Sequence, residues 1–255
     1  MDDDTTIRIV DLHKSFNGQV VLDGIDLEVK RGKITVIIGK SGGGKSVLMK
    51  HLIGLMKPDK GEIWIDGLDI TKLNERELNR VRMKFGMLFQ EAALFDSMNV
   101  FENVAFPLRE HTRLPEKDIK RIVEEKLKAV SLLGFMEKLP SELSGGMKKR
   151  VGLARALALD PDVILFDEPT SALDPVISLT IEDLIKETQM HLQKTYVVIS
   201  HDVAGMFRIA DTVAMLYEGK IVASGTPYEI KRSSQEAVKE FLKATKIPGF
   251  AGGEL

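Results

Sequence analysis

The sequence contains no cysteine, carries almost no net charge and has no long uninterrupted apolar run. The missing thiols exclude disulfide bonds, thiolate metal sites and cysteine nucleophiles. The net charge of -2 balances 36 basic against 38 acidic residues, so the whole chain offers no field suited to nucleic acid or an anionic membrane. No stretch approaches the ~18 apolar residues of a membrane helix, and the N-terminus lacks the features of a signal peptide. We expect a soluble, cytoplasmic protein without a nucleic-acid partner.

The 255 residues, 44% of them hydrophobic, are enough to bury a large core. Strand and helix patterns alternate along most of the chain, which is typical of a mostly parallel α/β sheet covered on both faces. Residues 7–38 instead predict successive strands, and residues 99–158 show only helical patterns punctuated by proline. The pattern predicts an α/β core with an inserted helical lobe. The tail predicts one helix over 233–245, followed by a glycine-rich end that cannot pack alone.

A glycine-rich loop lies between a predicted buried strand and a predicted helix, and it contains the tripeptide Gly-Lys-Ser twice. The phosphate-binding pattern is Gly, four residues, and Gly-Lys-Ser or Gly-Lys-Thr. It fits only the second copy, because Gly39 stands in the required place, whereas the first copy would need glycine at Ile34. Lys45 is therefore the predicted phosphate lysine. Ser46 follows it in the position that coordinates magnesium.

Three consecutive glycines, Gly42, Gly43 and Gly44, precede this lysine. They allow the backbone to fold closely around an anion with its N–H groups pointing inward, and the helix N-terminus adds partial positive charge. A glycine-rich turn that binds nothing is the alternative, and the strand-loop-helix context favours the phosphate site. Lys40 has two interpretations: it is a solvated charge, or it makes a supporting contact to a phosphate or a partner.

Asp167 and Glu168 follow an apolar run at the point where a strand leaves the sheet. Ligands of doubly wound sheets lie beyond the carboxyl ends of the strands, so both side chains are expected at the edge that carries the glycine loop. Phosphoryl transfer to water needs one carboxylate for magnesium and another that polarises the attacking water. An acidic pair that only begins a turn is the alternative, and the nearby phosphate loop argues against it.

A second candidate anion site is formed by Ser144, Gly145 and Gly146, directly before a predicted helix. A serine cap followed by glycines exposes backbone N–H groups at the helix N-terminus. Taken alone, the motif would be a simple helix cap. One phosphate loop is enough for the nucleotide of this chain. The second anion site is therefore predicted to bind the nucleotide that another subunit holds. The motif therefore predicts a head-to-tail dimer with composite sites.

Together the motifs resemble those of the nucleotide-binding subunit of an ABC (ATP-binding cassette) transporter, and they follow the same order over nearly the whole chain. They are the Walker A segment "GKSGGGKS", Gln90 of the Q-loop, the signature "LSGGM", the Walker B segment "VILFDE", the D-loop "SALD" and the switch histidine His201. The resemblance implies a P-loop NTPase fold with a RecA-like, mostly parallel sheet core, an antiparallel β subdomain and an inserted α-helical subdomain. A single ABC ATPase domain would then comprise a core of 1–92 and 159–227, a helical subdomain of 93–158 and a C-terminal extension of 228–255.

The resemblance also implies roles for individual residues. Glu168, as general base, His201 and Lys45 would be catalytic, and Ser46, Gln90 and Asp167 would hold Mg²⁺. Gln90 would also link the site to the transmembrane partner. Ser144, Gly145 and Gly146 would bind in trans, across a homodimer. The ATP-binding set would be Phe16, Gly39, Lys40, Ser41, Gly42, Gly43, Gly44, Lys45, Ser46 and Val47.

Two of these positions depart from the common pattern of the family. Phe16 replaces the usual tyrosine that stacks on adenine, and without the resemblance it would be interpreted as a core phenylalanine. Met147 replaces the usual glutamine that ends the signature. Neither change removes a backbone anion contact or an aromatic face, so we expect ATP binding to survive.

Three segments more closely resemble the ATPases of Mla and Mce-associated lipid transport systems, which move phospholipids between bacterial membranes. They are residues 100–116, the signature segment 143–150 and the tail segment 237–250. This similarity implies an integral permease of the MlaE type, which would contact the segment after the Q-loop. It also implies a periplasmic Mce-domain (MlaD-like) protein and, as an optional partner, a small STAS-domain (MlaB-like) protein. The chain would sit peripherally on the cytoplasmic face of the inner membrane, and its tail would reach the other ATPase subunit.

Three rival functions compete with this interpretation. An ATPase subunit of an amino-acid or other small-solute importer is the alternative within transporters, and only the segment 100–116 and the tail argue against it. An ATP-driven DNA or translation factor would carry a long coiled-coil insertion, two fused cassettes or a basic surplus, none of which the sequence has. A regulatory module that binds ATP without hydrolysis is disfavoured by the presence of Glu168 and His201.

Overall fold

The computed structural model describes residues 4–245, which form ten strands and nine α-helices. The strands are Thr5–Phe16 (β1), Gln19–Lys30 (β2), Ile34–Ile38 (β3), Lys60–Ile65 (β4), Leu68–Asp69 (β5), Phe85–Leu88 (β6), Val163–Asp167 (β7), Thr195–Ser200 (β8), Thr212–Tyr217 (β9) and Lys220–Gly225 (β10). The helices are Lys45–Leu52 (α1), Glu75–Arg82 (α2), Val100–His111 (α3), Glu116–Ala129 (α4), Gly145–Ala156 (α5), Pro175–Leu192 (α6), Val203–Ile209 (α7), Pro227–Lys231 (α8) and Glu236–Ala244 (α9).

The larger sheet has six strands in the order β10-β9-β3-β8-β7-β6, and only the β10–β9 pair is antiparallel. Every residue of β3 and β8 is buried, because apolar layers cover both faces of the sheet. Along β3 the side chains alternate between these layers, with Val36 and Ile38 in one core cluster and Ile37 in the other. The mostly parallel core is confirmed. The carboxyl ends of β3, β8, β7 and β6 all lie along one edge.

The smaller sheet is antiparallel throughout, with the order β2-β1-β4-β5. Its apolar side chains, among them Ile9 and Leu22, share a core cluster with Leu48 and Leu52 of α1. The sheet therefore packs on the helix that follows the glycine loop. The antiparallel β subdomain is confirmed, and it places Phe16, the last residue of β1, at the β1–β2 turn.

The helical lobe contains α3 and α4, and α5 packs against both of them. Asn99 caps α3 through a reciprocal capping box with Glu102, which fixes where the lobe begins. The helix α5 also lies directly on β6, since a Cβ at Gly152 would be 2.6 Å from Cδ1 of Leu88. The inserted helices are thus confirmed, while the subdomain boundaries at 92/93 and 158/159 stay predictions.

The sequence predicts a longer α1, because Val47, Leu48, His51, Leu52 and Leu55 have the spacing of one helical face before Pro58. This prediction is wrong at its end: the helix stops at Leu52, and Leu55 is 61% exposed. The physical reason is Gly54, whose φ of 62° lies in the left-handed region and turns the chain out of the helix.

The predicted C-terminal helix is present as α9. Its Val238, Phe241 and Leu242 are buried in the same cluster as the core strands. The glycine-rich tail, which we expect to reach a second ATPase subunit, lies at 246–255, outside the described residues. Among residues 4–245, none of the helices combines the length and apolar character that a bilayer crossing requires.

Candidate nucleotide-binding site

The Walker A loop connects β3 to α1 and is held tightly between neighbouring strands. A Cβ at Gly39 would lie 2.3 Å from the carbonyl oxygen of Leu216 on β9. Gly44 has a φ of 95°, and a Cβ there would lie 3.1 Å from the carbonyl oxygen of Val21 on β2. A side chain at either position would therefore displace the loop from the sheet. The two outer glycines of the pattern are required by contacts with β9 and β2.

Lys45, the predicted phosphate lysine, folds into the loop. Its Nζ donates hydrogen bonds to the carbonyl oxygens of Gly39 (2.8 Å) and Lys40 (3.0 Å), and the residue is only 6% exposed. Burial lowers the pKa of Lys45, and the charges of Glu168 and Asp167 raise it. A buried ammonium held by backbone carbonyls at the start of a helix fits the phosphate oxygens of a nucleotide.

Lys40 takes part in the loop through its backbone. Its carbonyl oxygen accepts hydrogen bonds from Nζ of Lys45 and from the N–H of Gly43 (3.1 Å). Its exposed side chain extends towards β9, where Nζ lies 5.3 Å from the centroid of the Tyr217 ring. This distance is within the range of a cation–π contact. The side chain thus has a neighbour in its own chain, and a contact to phosphate stays a prediction.

Asp167 ends β7 and is half-buried. Burial raises the pKa of Asp167, and the neighbouring charge of Glu168 raises it further, whereas Lys45 and Lys149 lower it. A raised pKa means that the positive charge around this carboxylate does not fully compensate its desolvation. A divalent cation would supply the missing charge, so the position fits a magnesium ligand.

Glu168 has an unusual backbone conformation, with a φ of 49° in the left-handed region. Its N–H donates to the carbonyl oxygen of Ile199 (2.9 Å) on β8. Its own carbonyl oxygen accepts from Oγ (2.9 Å) and from the N–H (3.1 Å) of Ser171. These bonds to β8 and to the D-loop hold a backbone that a non-glycine residue rarely adopts.

The carboxylate of Glu168 is oriented by His201. Oε2 accepts the backbone N–H of His201 (3.1 Å) and lies 2.7 Å from Nδ1 of the imidazole. The side chain of Glu168 is 13% exposed and that of His201 is 58% exposed. The carboxylate is therefore the more buried partner of this pair. A proton on Nδ1 makes this contact a hydrogen bond to the carboxylate.

Gln90 is placed by β6, and the signature is placed by the start of α5. Gln90 follows β6 and is exposed, at the same edge of the sheet as the Walker motifs. Ser144 caps α5, since its Oγ accepts the N–H of Met147 (3.3 Å). Gly146 is buried against α6, where a Cβ would lie 2.7 Å from Cγ2 of Ile177. Within residues 4–245, no hydrogen bond joins the signature to the Walker A loop.

Phe16 is not a core residue, because 39% of it is exposed at the end of β1. The alternative of a core phenylalanine is therefore wrong, and stacking on adenine stays a prediction. Nζ of Lys14 lies 5.5 Å from the centroid of its ring. Lys14 is itself fixed by Oδ1 of Asp59 (2.8 Å) and the carbonyl oxygen of Lys57 (3.0 Å).

Sequence reasoning missed Lys149, which reaches the centre of this edge from α5. Its Nζ donates to the carbonyl oxygens of Gln90 and of Glu168, the latter at 3.3 Å. A run of three basic residues, here 148–150, is typical of a solvent-exposed helix face, yet Lys149 is only 5% exposed. A signal was present: Lys149 is three and seven positions before Gly152 and Ala156, small residues on the helix face that contacts the core.

Parallel strands thus bring the Walker A loop, both carboxylates and His201 to one edge. Ser46 stands next to Lys45 on α1, and Ser41 and Val47 belong to the same loop and helix. The residues that would hold a triphosphate and those that would activate water come from β3, β7 and β8, which are neighbours in the sheet. The arrangement suits in-line displacement on a phosphate.

Comparisons with known proteins agree with this geometry. A family model for the ABC transporter family matches residues 22–171. The "Intermembrane phospholipid transport system ATP-binding protein MlaF" of Haemophilus influenzae is 47% identical over 93% of this chain and 90% of its own length. The "Probable ribonucleotide transport ATP-binding protein mkl" of Mycobacterium leprae is 43% identical over 94% of this chain and 70% of its own length. The dimeric ATP-binding cassette MJ0796, solved with ADP and Pi, superposes with a TM-score of 0.78, 31% identity and coverage of 87% of this chain and 98% of its own.

Proposed function

The chain belongs to the ABC transporter family and is an ATPase, and on this premise we propose that it powers phospholipid movement between bacterial membranes. The observation that carries the ATPase chemistry is the Glu168 carboxylate, which is oriented by His201 beside the buried cation of Lys45. The printed name of the 47% identical relative supports the phospholipid cargo.

ATP is the substrate that the loop fits. On binding, the ammonium of Lys45 would exchange the carbonyl oxygens of Gly39 and Lys40 for phosphate oxygens. Ser46, Asp167 and Gln90 would hold Mg²⁺, which neutralises charge on the β- and γ-phosphate oxygens when it is bound. The raised pKa of Asp167 fits this assignment, because a nearby dication favours the ionised carboxyl.

The carboxylate of Glu168 is the general base that we assign to ATP hydrolysis. It would accept a proton from a water that attacks the γ-phosphorus, and the bonds to His201 would fix its orientation. The lysine would stay paired with the phosphate oxygens as charge develops in the transition state. Both groups act on the same phosphate from adjoining parts of one sheet edge.

We propose a head-to-tail homodimer with two composite sites. The exposed residues Ser144 and Gly145 at the start of α5 form an anion site. The described part of the chain contains no second phosphate loop that would hold a nucleotide at this site. Each ATP would lie between Gly39–Ser46 of one subunit and Ser144–Gly146 of the other. The dimeric cassette MJ0796 supports this arrangement. Closure on ATP and reopening after hydrolysis would move the permease.

A groove of about 840 Å³ marks the surface that we assign to the permease, an integral protein of the MlaE type. It lies between α2, β6, the segment after Gln90, α3 and α5, and its lining includes an aromatic pair with ring centroids 4.8 Å apart, Phe95 and Phe106. Phe89 adds a further exposed apolar side chain. Three arginines, Arg80, Arg82 and Arg155, also line the groove.

This composition fits a short amphipathic helix of a membrane protein, with apolar residues in the groove and an acidic or carbonyl group at Arg80. Arg82 and Arg155 already donate to carbonyl oxygens of this chain. The chain would then lie on the cytoplasmic face of the inner membrane. An Mce-domain (MlaD-like) protein and a STAS-domain (MlaB-like) protein complete the proposed assembly.

Transport of a small polar solute is the second candidate function, and the 43% identity to the mycobacterial protein favours it. Two experiments decide between the candidates. The tagged chain, purified with the proteins that accompany it, should contain a permease and an Mce-domain protein. Reconstituted in liposomes, that complex should move a fluorescent phospholipid in an ATP-dependent manner. ATP-dependent uptake of a radiolabelled ribonucleotide without lipid movement would overturn the phospholipid proposal.

A further inference from the structure

Lys149 is a buried cation to which the mechanism above assigns no role. It stands one turn after the signature residues on α5, and its side chain crosses from the helical lobe to the sheet edge. Its Nζ bonds the carbonyl oxygens of Gln90 and Glu168. The same ammonium therefore contacts the backbone of the Q-loop and the backbone of the general base.

The helix α5 holds the Q-loop at two points. Lys149 binds the carbonyl oxygen of Gln90, and Arg155, two turns further on, donates to the carbonyl oxygens of Ala92 (2.6 Å) and Ala93 (2.7 Å). Between these contacts, α5 packs closely on β6 at Gly152. A displacement of α5 would therefore carry the segment after β6 with it. Of these two cations, Lys149 alone also contacts Glu168.

The contact matters because the backbone of Glu168 is held in a conformation that it would not adopt unaided. Its φ of 49° is maintained by bonds around the two adjoining peptide groups. The carbonyl oxygen accepts three donors, namely Nζ of Lys149 and the Oγ and N–H of Ser171. A rotation of this peptide group would change the direction in which the side-chain carboxylate of Glu168 points. A small shift of a catalytic group has a large effect on rate.

We propose that Lys149 is a positioning residue. It holds the backbone of Glu168 against α5 and thereby fixes the orientation of the general base in its own subunit. The proposal deepens the proposed function and rests on the head-to-tail dimer, because α5 begins with the signature that would bind the partner's nucleotide. Lys149 thus links the two ATP sites of the dimer. Its ammonium bonds the backbone of the general base in its own subunit, and its helix carries the signature that would contact the ATP of the other subunit.

A purely structural role for Lys149 would change the stability of the protein and leave kcat of the folded enzyme unaltered. A methionine of similar length would leave Ser171 bonded to the carbonyl oxygen of Glu168, but it would remove the donor to the carbonyl oxygen of Gln90. We therefore expect kcat to fall in Lys149→Met at a temperature where the variant is still folded.

The first test uses the homodimer of the full chain. Lys149→Met should lower kcat by about 10- to 100-fold with unchanged KM for ATP, because the base is misplaced while the phosphate loop is intact. Lys149→Arg should recover part of kcat, since a guanidinium can also donate to two carbonyl oxygens. The matched control is Lys148→Met, which removes the same charge one position away. Within the described residues, the Lys148 side chain makes no hydrogen bond to Gln90 or Glu168. Equal kcat in both methionine variants, measured where both are folded, would overturn the proposal.

The second test asks which ATP site is affected, using two mixed dimers purified through two different tags. In one dimer, Lys149→Met and Glu168→Gln are on different subunits; in the other, both are on the same subunit. The only intact Glu168 lies beside the altered Lys149 in the first dimer and beside a normal Lys149 in the second. We expect the first dimer to hydrolyse ATP about 10-fold or more slowly than the second. Equal rates, or the reverse order, would contradict action within one subunit.

The parent mixed dimer separates this outcome from failure of the proposed function. It contains one wild-type subunit and one Glu168→Gln subunit, and it should form in ATP and retain measurable turnover. If no dimer forms in ATP, the head-to-tail assembly itself is wrong. If the dimer forms and the two arrangements hydrolyse at the same rate, only the role of Lys149 is wrong.

Discussion

Two helix N-termini are the phosphate sites that we propose for this chain, and they are built differently. The helix α1 is preceded by its N-cap residue Gly44, which has a φ of 95°. Its first residue is the buried Lys45, which donates to carbonyl oxygens of the loop. The helix α5 begins at a serine that caps it through the N–H of Met147. The first terminus is buried under β2 and β9, whereas Ser144 and Gly145 are exposed.

In the proposed dimer, the difference separates a site with its own cation and carboxylates from a site that needs a second chain. The start of α1 has a cation of its own and, at the same sheet edge, the carboxylates of Asp167 and Glu168. The start of α5 offers backbone N–H groups and a hydroxyl, and its first turn contains no acidic residue. We expect changes at α1 to act on a single subunit and changes at α5 to act on the dimer.

The largest effect is expected from Glu168→Gln, which removes the proton acceptor at the sheet edge that α1 faces. Turnover should fall by about 10²- to 10⁴-fold, the usual contribution of a general base. ATP binding should be intact, because the lysine and the loop glycines are unchanged. Steady-state ATPase assays and a nucleotide titration measure the two effects, and turnover close to wild type would remove Glu168 from its assigned role.

Lys45→Ala should abolish measurable nucleotide affinity in the isolated subunit. The loop loses its buried cation, and charge-assisted bonds to phosphate are among the strongest that a site offers. A fluorescent ATP analogue, titrated into the monomer, provides the measurement. If the variant binds the analogue as tightly as wild type does, the second Gly-Lys-Ser is not the phosphate lysine motif.

Ser144→Ala should leave monomer affinity for ATP unchanged and weaken ATP-dependent dimerisation by about 10-fold, which corresponds to ~1.4 kcal/mol. The loss of an N-cap alone costs ~1 kcal/mol of stability. Asn74→Ala is the matched control, because it removes the N-cap of α2 at a distance from the signature. Light scattering in ATP should detect weaker dimers only in the serine variant. Equal dimerisation of both variants would contradict the trans assignment of the signature.

Asp167→Asn should raise the melting temperature of the nucleotide-free protein at pH 7. The folded state raises the pKa of Asp167, so the folded chain binds this proton more tightly than the unfolded chain does. The ionised carboxyl therefore costs stability as pH rises from about 3.9, the unfolded value, through the folded pKa. Thermal melts of both proteins should converge below about pH 4. A lower melting temperature for the asparagine variant at pH 7 would contradict this sign.

The smallest effect is expected from Lys40→Ala, whose side chain contacts Tyr217. An exposed cation–π contact contributes ~0.5–1 kcal/mol, so a slight loss of stability is expected. Affinity for ATP should change by less than about 2-fold, because the backbone carbonyl that anchors Lys45 is retained. Tyr217→Leu should reproduce the loss of stability. A large loss of affinity in Lys40→Ala alone would instead indicate a direct phosphate contact.

The sequence predicted the parts of the fold and of the site that depend on local pattern. The strand-loop-helix around Gly39 and Lys45 was visible because a buried strand has a period of two and a helix one of 3.6. The cap at Ser144 was visible because serine before glycines stabilises a helix start. The end of α1 was misjudged, because Leu55 continues the apolar spacing and the left-handed turn at Gly54 was not weighed against it.

Residue types and spacing alone predicted which Gly-Lys-Ser binds phosphate, since Ile34 excludes the first copy and Gly39 selects the second. Tertiary structure decided why those glycines are required, through Leu216 and Val21 of neighbouring strands. It also turned Lys149 from an apparent surface charge into a contact with Glu168. The physical reason is that Gln90 and Lys149 are 59 residues apart along the chain. A hydrogen bond across that distance depends on how α5 packs on β6, which no local pattern encodes.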